Sequence, residues 1–342
     1  MIWNLLKKLL CKRKQNSSIE DSISIDQLIL NAKAGDAEAQ YNLGICYETG
    51  ICIEQDTEQA LYWYQKSVDQ GFAFAKYALS KMYVEGNGVD KDLAKAIPMM
   101  QKAAEAEVTP AIYGIGMAYQ YGMYVEPNSS EALRWYQLGA EKGDAACQCN
   151  LAALYIRGGF EKNRDLAIQW MTKSAEQDWP VGVYNMGYIY DVLLEDTKIN
   201  KQLAFEYYTK AANLGEPNAH FRLGLFYAQG NQVVQKDQTK AFNLFMIAAQ
   251  QGITRAQTLV GIHYVNGYGV EKNWEEGFGW LIAAWKNGDD YAKTTLEELG
   301  YEFTTIEQNN NNVIDANEGG NYARYTYDEA VSEFGNKLPT KQ

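Results

Sequence analysis

The sequence predicts an all-α protein, a solenoid of about seven tandem two-helix repeats with a capping helix at each end. Three observations lead to this prediction: a tyrosine recurs at steps of 35 to 37 residues, small residues recur in phase with it, and apolar side chains follow helical spacing within each period. The 342 residues include only 6 prolines, which suits a helix-rich chain because proline interrupts helix interiors.

Three series of positions define the period. The tyrosines are Tyr47, Tyr83, Tyr119, Tyr155, Tyr190, Tyr227 and Tyr264. A small residue stands three positions before each of them, at Gly44, Ser80, Gly116, Ala152, Gly187, Gly224 and Gly261. The period closes on Gly35, Gly71, Gly143, Gly215, Gly252 and Gly288, with Glu107 and Asp178 in the two gaps.

Each period is expected to contain two helices. In the first period, residues 39–49 predict the first helix, and residues 57–70 predict the second because Ala60, Trp63, Tyr64 and Ser67 follow i, i+3, i+4, i+7 spacing. The closing glycine suits a helix C-cap, where positive φ is favoured. The segments 25–34 and 291–299 lie outside the complete periods, and they predict the two capping helices.

With this period and these recurring residues, the chain resembles the Sel1-like repeat family, whose members are relatives of the tetratricopeptide repeats with a slightly longer unit. The clearest match runs Ala39-Gln-Tyr-Asn-Leu-Gly-Ile-Cys-Tyr-Glu-Thr-Gly50, and the resemblance covers about residues 24–299. It implies a right-handed superhelical α-solenoid. Two units depart from the pattern: unit two has Ile-Pro-Met-Met at 97–100 in place of aromatic residues, and unit five lacks the turn glycines after Tyr190. We expect distortion or an altered turn there.

The two ends differ from the repeats. Residues 1–23 form a basic amphipathic or disordered N-terminal segment, whose first 14 residues place apolar side chains opposite lysines and make a poor signal peptide. Weak contact with a membrane surface and a frayed terminus both remain open for this segment. Residues 300–342 are a polar, Asn-rich C-terminal tail with a possible short helix at 326–334, which either docks on the scaffold or a partner or stays disordered.

Composition and motifs argue against several classes of function. A net charge of −12 offers no basic footprint for nucleic acid. The 5 cysteines show no regular spacing, which indicates thiols in a reducing compartment rather than a disulfide framework. His220 and His263 fall at different positions of their units, so we expect structural roles for both. We expect no catalytic residue, metal site or cofactor, and the chain is predicted not to be an enzyme.

The resemblance implies that the first helices line a concave binding face. Three columns of residues recur on them: a first of mostly aromatic residues, a second four positions on, and a third that includes Glu48, Gln120 and Asp191. The opposite interpretation of the aromatic column, packing between helices, remains open for any single residue. The predicted partner-binding residues are Tyr41, Tyr77, Tyr113, Met117, Tyr184, Tyr188 and Phe221.

These observations predict a cytoplasmic protein-protein interaction scaffold that binds a protein or peptide partner in the concave groove. A position peripheral to the inner face of the membrane remains open. The partner is expected to be basic, because an acidic body attracts opposite charge. The family resemblance allows a bacterial adaptor or a cognate immunity protein for a secreted toxin. The alternatives are a hydrolase of cell-wall-like or β-lactam substrates and a secreted effector that engages host proteins.

Overall fold

The computed structural model describes residues 25–195 and 197–301, and in this part of the chain it contains 16 α-helices and no strand. The chain divides into two compact units, residues 1–147 and 148–342. None of the described helices is long and apolar enough to cross a membrane. The predicted segment 1–23, its membrane-facing residues 1–14 and the helix at 326–334 lie outside the described residues.

The helices of the first unit alternate between the predicted first and second helices of each repeat. They are α1 (Ile25–Lys33), α2 (Ala37–Thr49), α3 (Thr57–Asp69), α4 (Ala73–Glu85), α5 (Leu93–Glu105), α6 (Thr109–Tyr121) and α7 (Ser129–Glu141). Helix α8 (Ala145–Arg157) begins in this unit and ends in the next. From α1 to α7, every helix packs against the next one in the chain, which is the packing of a solenoid.

The second unit continues the same alternation. Its helices are α9 (Phe160–Glu176), α10 (Pro180–Tyr188), α11 (Lys198–Asn213), α12 (Pro217–Gln229), α13 (Gln238–Gln250), α14 (Thr254–Asn266), α15 (Trp274–Lys286) and α16 (Asp290–Glu298). From α9 to α16 each helix again packs against its successor. The predicted all-α solenoid with capping helices is confirmed, and α1 and α16 match the predicted caps to within one residue.

A backbone hydrogen bond closes the turn between the two helices in five repeats. The repeated tyrosine contributes its main-chain carbonyl, which accepts from the N-cap residue of the second helix at 2.8–3.0 Å. The side chain of each of these N-cap residues also accepts from the first turn of its helix, as capping residues do. The five donor–acceptor pairs are Asp56–Tyr47, Asp92–Tyr83, Asn128–Tyr119, Asp237–Tyr227 and Asn273–Tyr264.

The closing position of each repeat takes a left-handed backbone whatever residue occupies it. Gly71 has φ +87°, while Glu107 and Asp178, the two residues in the gaps of the glycine series, have φ +63° and +55°. A side chain there strains the backbone. Each of these two carboxylates pairs with a lysine, Glu107 with Lys142 at 2.7 Å and Asp178 with Lys210 at 2.6 Å.

The small residue of each first helix is required by a large side chain of the second helix. In four repeats a buried ring lies directly over the backbone of a glycine, and an added Cβ would lie only 2.5–2.7 Å from ring carbons. Real Cβ atoms do not approach so closely, so the glycine is what lets the ring in. The four pairs are Gly44–Tyr64, Gly116–Tyr136, Gly187–Tyr208 and Gly224–Phe245.

Repeats that lack the glycine also lack the ring. Ser80 shares its register with Met100, and Ala152 lies in the same core cluster as Met171. Methionine is unbranched and flexible, so it can fill the smaller space left beside a Cβ. The sequence of unit two departs from the pattern because its serine leaves room for a methionine but not for an aromatic ring. Pro98 does not shorten α5, which keeps the 13 residues of its neighbours.

Unit five carries the altered turn that its missing glycines predict. Helix α10 continues into a π-helical turn over Ile189–Leu193 in place of the left-handed glycine cap found at Gly50 or Gly86. Unit six differs as well, because Gly230 has ψ 156° where Gly86 has ψ 30°. These two irregular turns follow each other in the second unit, after a kink at Asn163 in α9 of unit four.

We expect Gly224→Ala to lower the free energy of unfolding by about 1–3 kcal/mol, because the new methyl group enters the space of the Phe245 ring. Phe245→Met in the same chain should recover part of this loss, since it recreates the Ala152–Met171 combination. Urea unfolding of the wild type, both single variants and the double variant measures the coupling. Strictly additive effects would show that the two positions do not share space.

Candidate partner-binding face

The predicted aromatic column of the first helices is half-buried. Tyr41, Tyr77, Tyr113, Tyr184 and Phe221 each expose part of the ring, and four of the five lie against the large ring of the second helix in the same repeat. The ring centroids are 5.6–6.3 Å apart in the pairs Tyr41–Tyr64, Tyr113–Tyr136, Tyr184–Tyr208 and Phe221–Phe245. These side chains are therefore packed on one side and accessible on the other.

The first column is occupied by Cys149 in unit four and by Thr258 in unit seven, and both are buried. The thiol of Cys149 accepts from the amide of Asn185 at 3.4 Å, and burial raises its pKa to about 11. Thr258 donates its hydroxyl to the carboxylate of Asp289 at 2.5 Å, at the start of the closing helix. The first column is therefore a partly exposed aromatic surface in five repeats, and part of the interior at Cys149 and Thr258.

The second column contributes Met117 and Tyr188, both half-buried. The guanidinium of Arg222, from the next first helix, lies 5.3 Å from the centre of the Tyr188 ring, within range of a cation–π contact. Arg222 also lies within electrostatic range of Tyr184, of the first column. One arginine therefore joins two of the predicted binding residues.

The polar residues of the third column also serve the interior. The hydroxyl of Tyr64 donates to Glu48, that of Tyr136 to Gln120 at 2.8 Å, and that of Tyr208 to Asp191 at 3.2 Å. Burial, followed by the nearby carboxylate, raises the pKa of Tyr64 and of Tyr208 above the usual value of 10.0. The polar members of this column are the acceptors for buried tyrosines.

The apolar members of the third column follow the same rule. Where the second helix supplies a methionine, phenylalanine or leucine, there is no hydroxyl to satisfy, and the column residue is aliphatic. The four pairs in this register are Val84 with Met100, Ile156 with Met171, Ala228 with Phe245 and Val265 with Leu281. Its alternation between polar and apolar residues therefore follows the residue that the second helix supplies.

A cluster of aromatic residues near the start of the first unit was not predicted. Phe72 and Phe74, which follow the closing Gly71, lie 5.5 and 6.1 Å from the ring of Tyr41, and Phe74 is exposed. Burial, then Glu48 and Tyr77, raises the pKa of Tyr41 to about 12. Two phenylalanines directly after a closing glycine occur in this repeat alone, and this is the signal that the sequence offers for the cluster.

The described residues contain no group of three or more histidine, cysteine or acidic side chains that could hold a metal ion. His263, one of the two histidines, is buried among rings, with centroids 5.4 Å from Phe245 and 5.8 Å from Tyr268. Its Nδ1 is 2.7 Å from the carbonyl oxygen of Tyr268, so this nitrogen carries the proton and donates. Burial lowers the pKa of His263 below 6.5.

The fold and its interior pairs define an α-solenoid repeat protein. The Sel1 repeat family matches residues 37–72, 73–108, 109–144, 145–179, 180–216, 217–253 and 254–289. The chain therefore belongs to the Sel1 repeat family, whose members are protein-interaction scaffolds and generally not enzymes. The recognition made from the sequence is confirmed.

Solved structures of this fold are similar to the chain. The protective antigen c5321 of uropathogenic Escherichia coli is 28% identical, with TM-score 0.74, over 94% of this chain and 69% of that one. A Sel1 repeat protein from Oxalobacter formigenes is 29% identical, with TM-score 0.63, over 80% and 79%. Immunity protein Pa5087 of Pseudomonas aeruginosa is 20% identical, with TM-score 0.41, over 63% and 81%. No curated protein matches the chain.

We expect Tyr136→Phe to destabilise the first unit by about 1–3 kcal/mol, because it leaves the buried carbonyl of Gln120 without its donor. Adding Gln120→Ile should restore most of the loss, since Ile156 occupies the same position beside Met171. The Nε2 of Gln120 is already buried without a partner among the described residues, so its removal costs nothing there. Thermal unfolding compares the variants, and a double variant less stable than Tyr136→Phe would contradict this account.

The lowered pKa of His263 predicts that stability depends on pH. Because the unfolded chain binds this proton more tightly, the contribution of neutral His263 is complete above about pH 6.5 and is lost as the pH falls towards the folded-state pKa. His263→Asn cannot titrate, so the stability difference between wild type and variant should shrink from pH 7.5 to pH 5.5. Urea midpoints at the two pH values measure it; an unchanged difference would rule out the effect.

Proposed function

We propose that this chain is an interaction scaffold that binds a protein or peptide partner along the face of its first helices. The contact residues are Tyr41, Tyr77, Tyr113, Met117, Tyr184, Tyr188 and Phe221. The observation that supports this is the recurrence of half-buried aromatic side chains on the first helices, most of them held from below by a second-helix ring.

Such rings are suited to binding because their position is already set. A side chain fixed on one side loses little conformational freedom when a partner covers the other side. Tyrosine adds a large apolar contact area and a polar hydroxyl at its tip, and it is enriched among residues that dominate binding energies. The column therefore offers preformed contacts at intervals of one repeat.

The net charge of −12 favours a partner of opposite charge. A bacterial adaptor and an immunity protein for a secreted toxin both fit this description, and they differ only in the partner. We place this function in the cytoplasm, where thiols such as Cys147 and Cys149 stay reduced, with residues 1–14 available for weak contact with the inner face of the membrane.

Site-specific photo-crosslinking in cells of the source organism tests the face. A photoreactive phenylalanine at Tyr77, on a first helix, should give a covalent adduct with one protein, because Tyr77 is part of the proposed surface. The matched control is Tyr62, which is 50% exposed on a second helix and should give none. Mass spectrometry identifies the adduct, and neighbouring toxin genes would then separate immunity from adaptor roles.

With the partner in hand, Tyr77→Ala should weaken binding by tenfold or more, the loss of about 2 kcal/mol typical of a central aromatic contact. Tyr62→Ala should leave the affinity within about twofold, as residues outside the contact area do. Circular dichroism checks that both variants keep their helices. Crosslinking from Tyr62 alone, or equal effects of the two substitutions, would place the partner elsewhere.

A further inference from the structure

The chain contains three asparagine–glycine pairs, at residues 87–88, 266–267 and 287–288. Such a pair is chemically labile, because the main-chain nitrogen of the glycine can attack the side-chain amide carbon of the asparagine. Glycine has no Cβ to hinder this approach and is conformationally free. Asparagine is accordingly counted among the thermolabile residues. The sequence alone makes the three pairs equivalent, and the structure separates them.

The pair at Asn266 is held by hydrogen bonds at both reacting groups. Asn266 is the last residue of α14, and its side-chain nitrogen donates to the main-chain carbonyl of Ile262 at 2.9 Å. The main-chain N–H of Gly267 donates to the carbonyl of His263 at 2.8 Å. The attacking nitrogen and the attacked amide are therefore both fixed at the helix end, and the reaction requires local opening.

The pair at Asn287 is held in the same way at the end of α15. The side-chain nitrogen of Asn287 donates to the side-chain oxygen of Gln257 at 3.0 Å. The N–H of Gly288 donates to the carbonyl of Trp285 at 2.8 Å. Because Gln257 is itself buried on α14, its contact ties the amide of Asn287 to the interior.

The pair at Asn87 has neither restraint. It lies in the turn after α4, where the main-chain N–H of Asn87 donates to the carbonyl of Met82 at 3.0 Å. The side-chain amide of Asn87 and the N–H of Gly88 make no hydrogen bond within the described residues. Asn87 is half-buried, so part of its side chain remains accessible to water. Both reacting groups are therefore available without local opening.

The turn does not require an asparagine at this position. The residues that take the place of Asn87 in units one, three and seven are Ile51, Met123 and Tyr268. The residue that follows has positive φ in all four units, between +65° and +71°. The backbone of the turn therefore forms with unrelated side chains, and among these four units the labile pair is found in unit two alone.

We propose that Asn87 is a site of spontaneous deamidation. The main-chain nitrogen of Gly88 loses its proton to hydroxide and attacks Cγ of Asn87. The new C–N bond closes a cyclic imide, a succinimide, while the Cγ–Nδ2 bond breaks and ammonia leaves. Water then opens the ring at either carbonyl and gives aspartate or isoaspartate, in which the main chain runs through Cγ. Either product replaces a neutral side chain with a carboxylate, and water is the only co-reactant.

The isoaspartate product changes the contact between units one and two. Gly88 lies against Thr57, the first residue of α3, and a Cβ added to Gly88 would stand 2.9 Å from the Cβ of Thr57. Isoaspartate lengthens the main chain directly before Gly88, on a side where there is no space to absorb the change. The product therefore weakens the packing of these two units. Because the reaction needs no bound partner, this inference does not rest on the proposed function.

Peptide mapping of the full chain tests the site. The folded protein is incubated at pH 8 and at pH 6, and trypsin then releases the three pairs on separate peptides, 82–91, 256–272 and 287–293. Peptide 82–91 should convert about tenfold or more faster than the other two, since opening their protecting hydrogen bonds costs about that factor. Conversion should be faster at pH 8, because the attacking nitrogen must lose its proton. Mass spectrometry with electron-transfer fragmentation should identify isoaspartate.

The chain unfolded in urea is the control for intrinsic reactivity, and there the three pairs should convert at similar rates. Equal rates in the folded chain, or faster conversion at Asn266 or Asn287, would overturn the proposal. A product that contains aspartate but no isoaspartate would also overturn it, since direct hydrolysis of the side chain would then be the reaction.

Two variants test the effect on packing. Asn87→Asp has the charge of the product without the longer main chain, so its urea midpoint should lie above that of the charge-shifted fraction of aged wild type, isolated by anion exchange. Asn87→Gln cannot form the imide readily, and its midpoint should not change on incubation. Equal midpoints for Asn87→Asp and the charge-shifted fraction would show that the contact between units one and two is not weakened.

Discussion

The array depends on one packing constraint, a bulky second-helix side chain lying across a first-helix backbone that has no side chain of its own. Gly44 under Tyr64 shows the arrangement, with ring carbons 2.6 Å from where a Cβ would stand. When the bulky residue is tyrosine, its buried hydroxyl needs an acceptor one turn further along the first helix, here Glu48. One choice in the second helix thus determines two positions in the first, and the helix pair is specified as a set of three residues.

The sequence predicts most of the fold because the fold is repetitive. Helix spacing, closing glycines and N-cap residues each act within a few residues of the chain, so their period is visible without a structure. The pairing between positions 15 to 17 residues apart is not visible in the same way. From the sequence alone the third column looks like a variable surface. The structure adds that Glu48 and Gln120 accept from the hydroxyls of Tyr64 and Tyr136.

The irregular turn of unit five is harder to predict, for the opposite reason. Repeat analysis detects what recurs, and Arg222 has no basic counterpart in phase with it. The absence of turn glycines after Tyr190 indicated that unit five is irregular, but backbone geometry alone decided that a π-helical turn would carry Asp191 towards the next repeat. In a repeat protein, side chains found in only one repeat lie where the periodic pattern is broken. Prediction from the pattern is least accurate there.

The main-chain hydrogen bond between the carbonyl of the repeated tyrosine and the N–H of the N-cap residue has a consequence for how such proteins diversify. Both partners are main-chain atoms, so the bond is indifferent to the side chains in the loop it closes. It spans 9 residues from Tyr47 to Asp56 and 10 from Tyr227 to Asp237, with nearly the same length of 3.0 and 2.8 Å. The loop can therefore gain a residue and change its course, as it does around Asn231, while the helices on either side keep their register. Insertion at these loops gives the family a way to acquire new pockets without rebuilding its core.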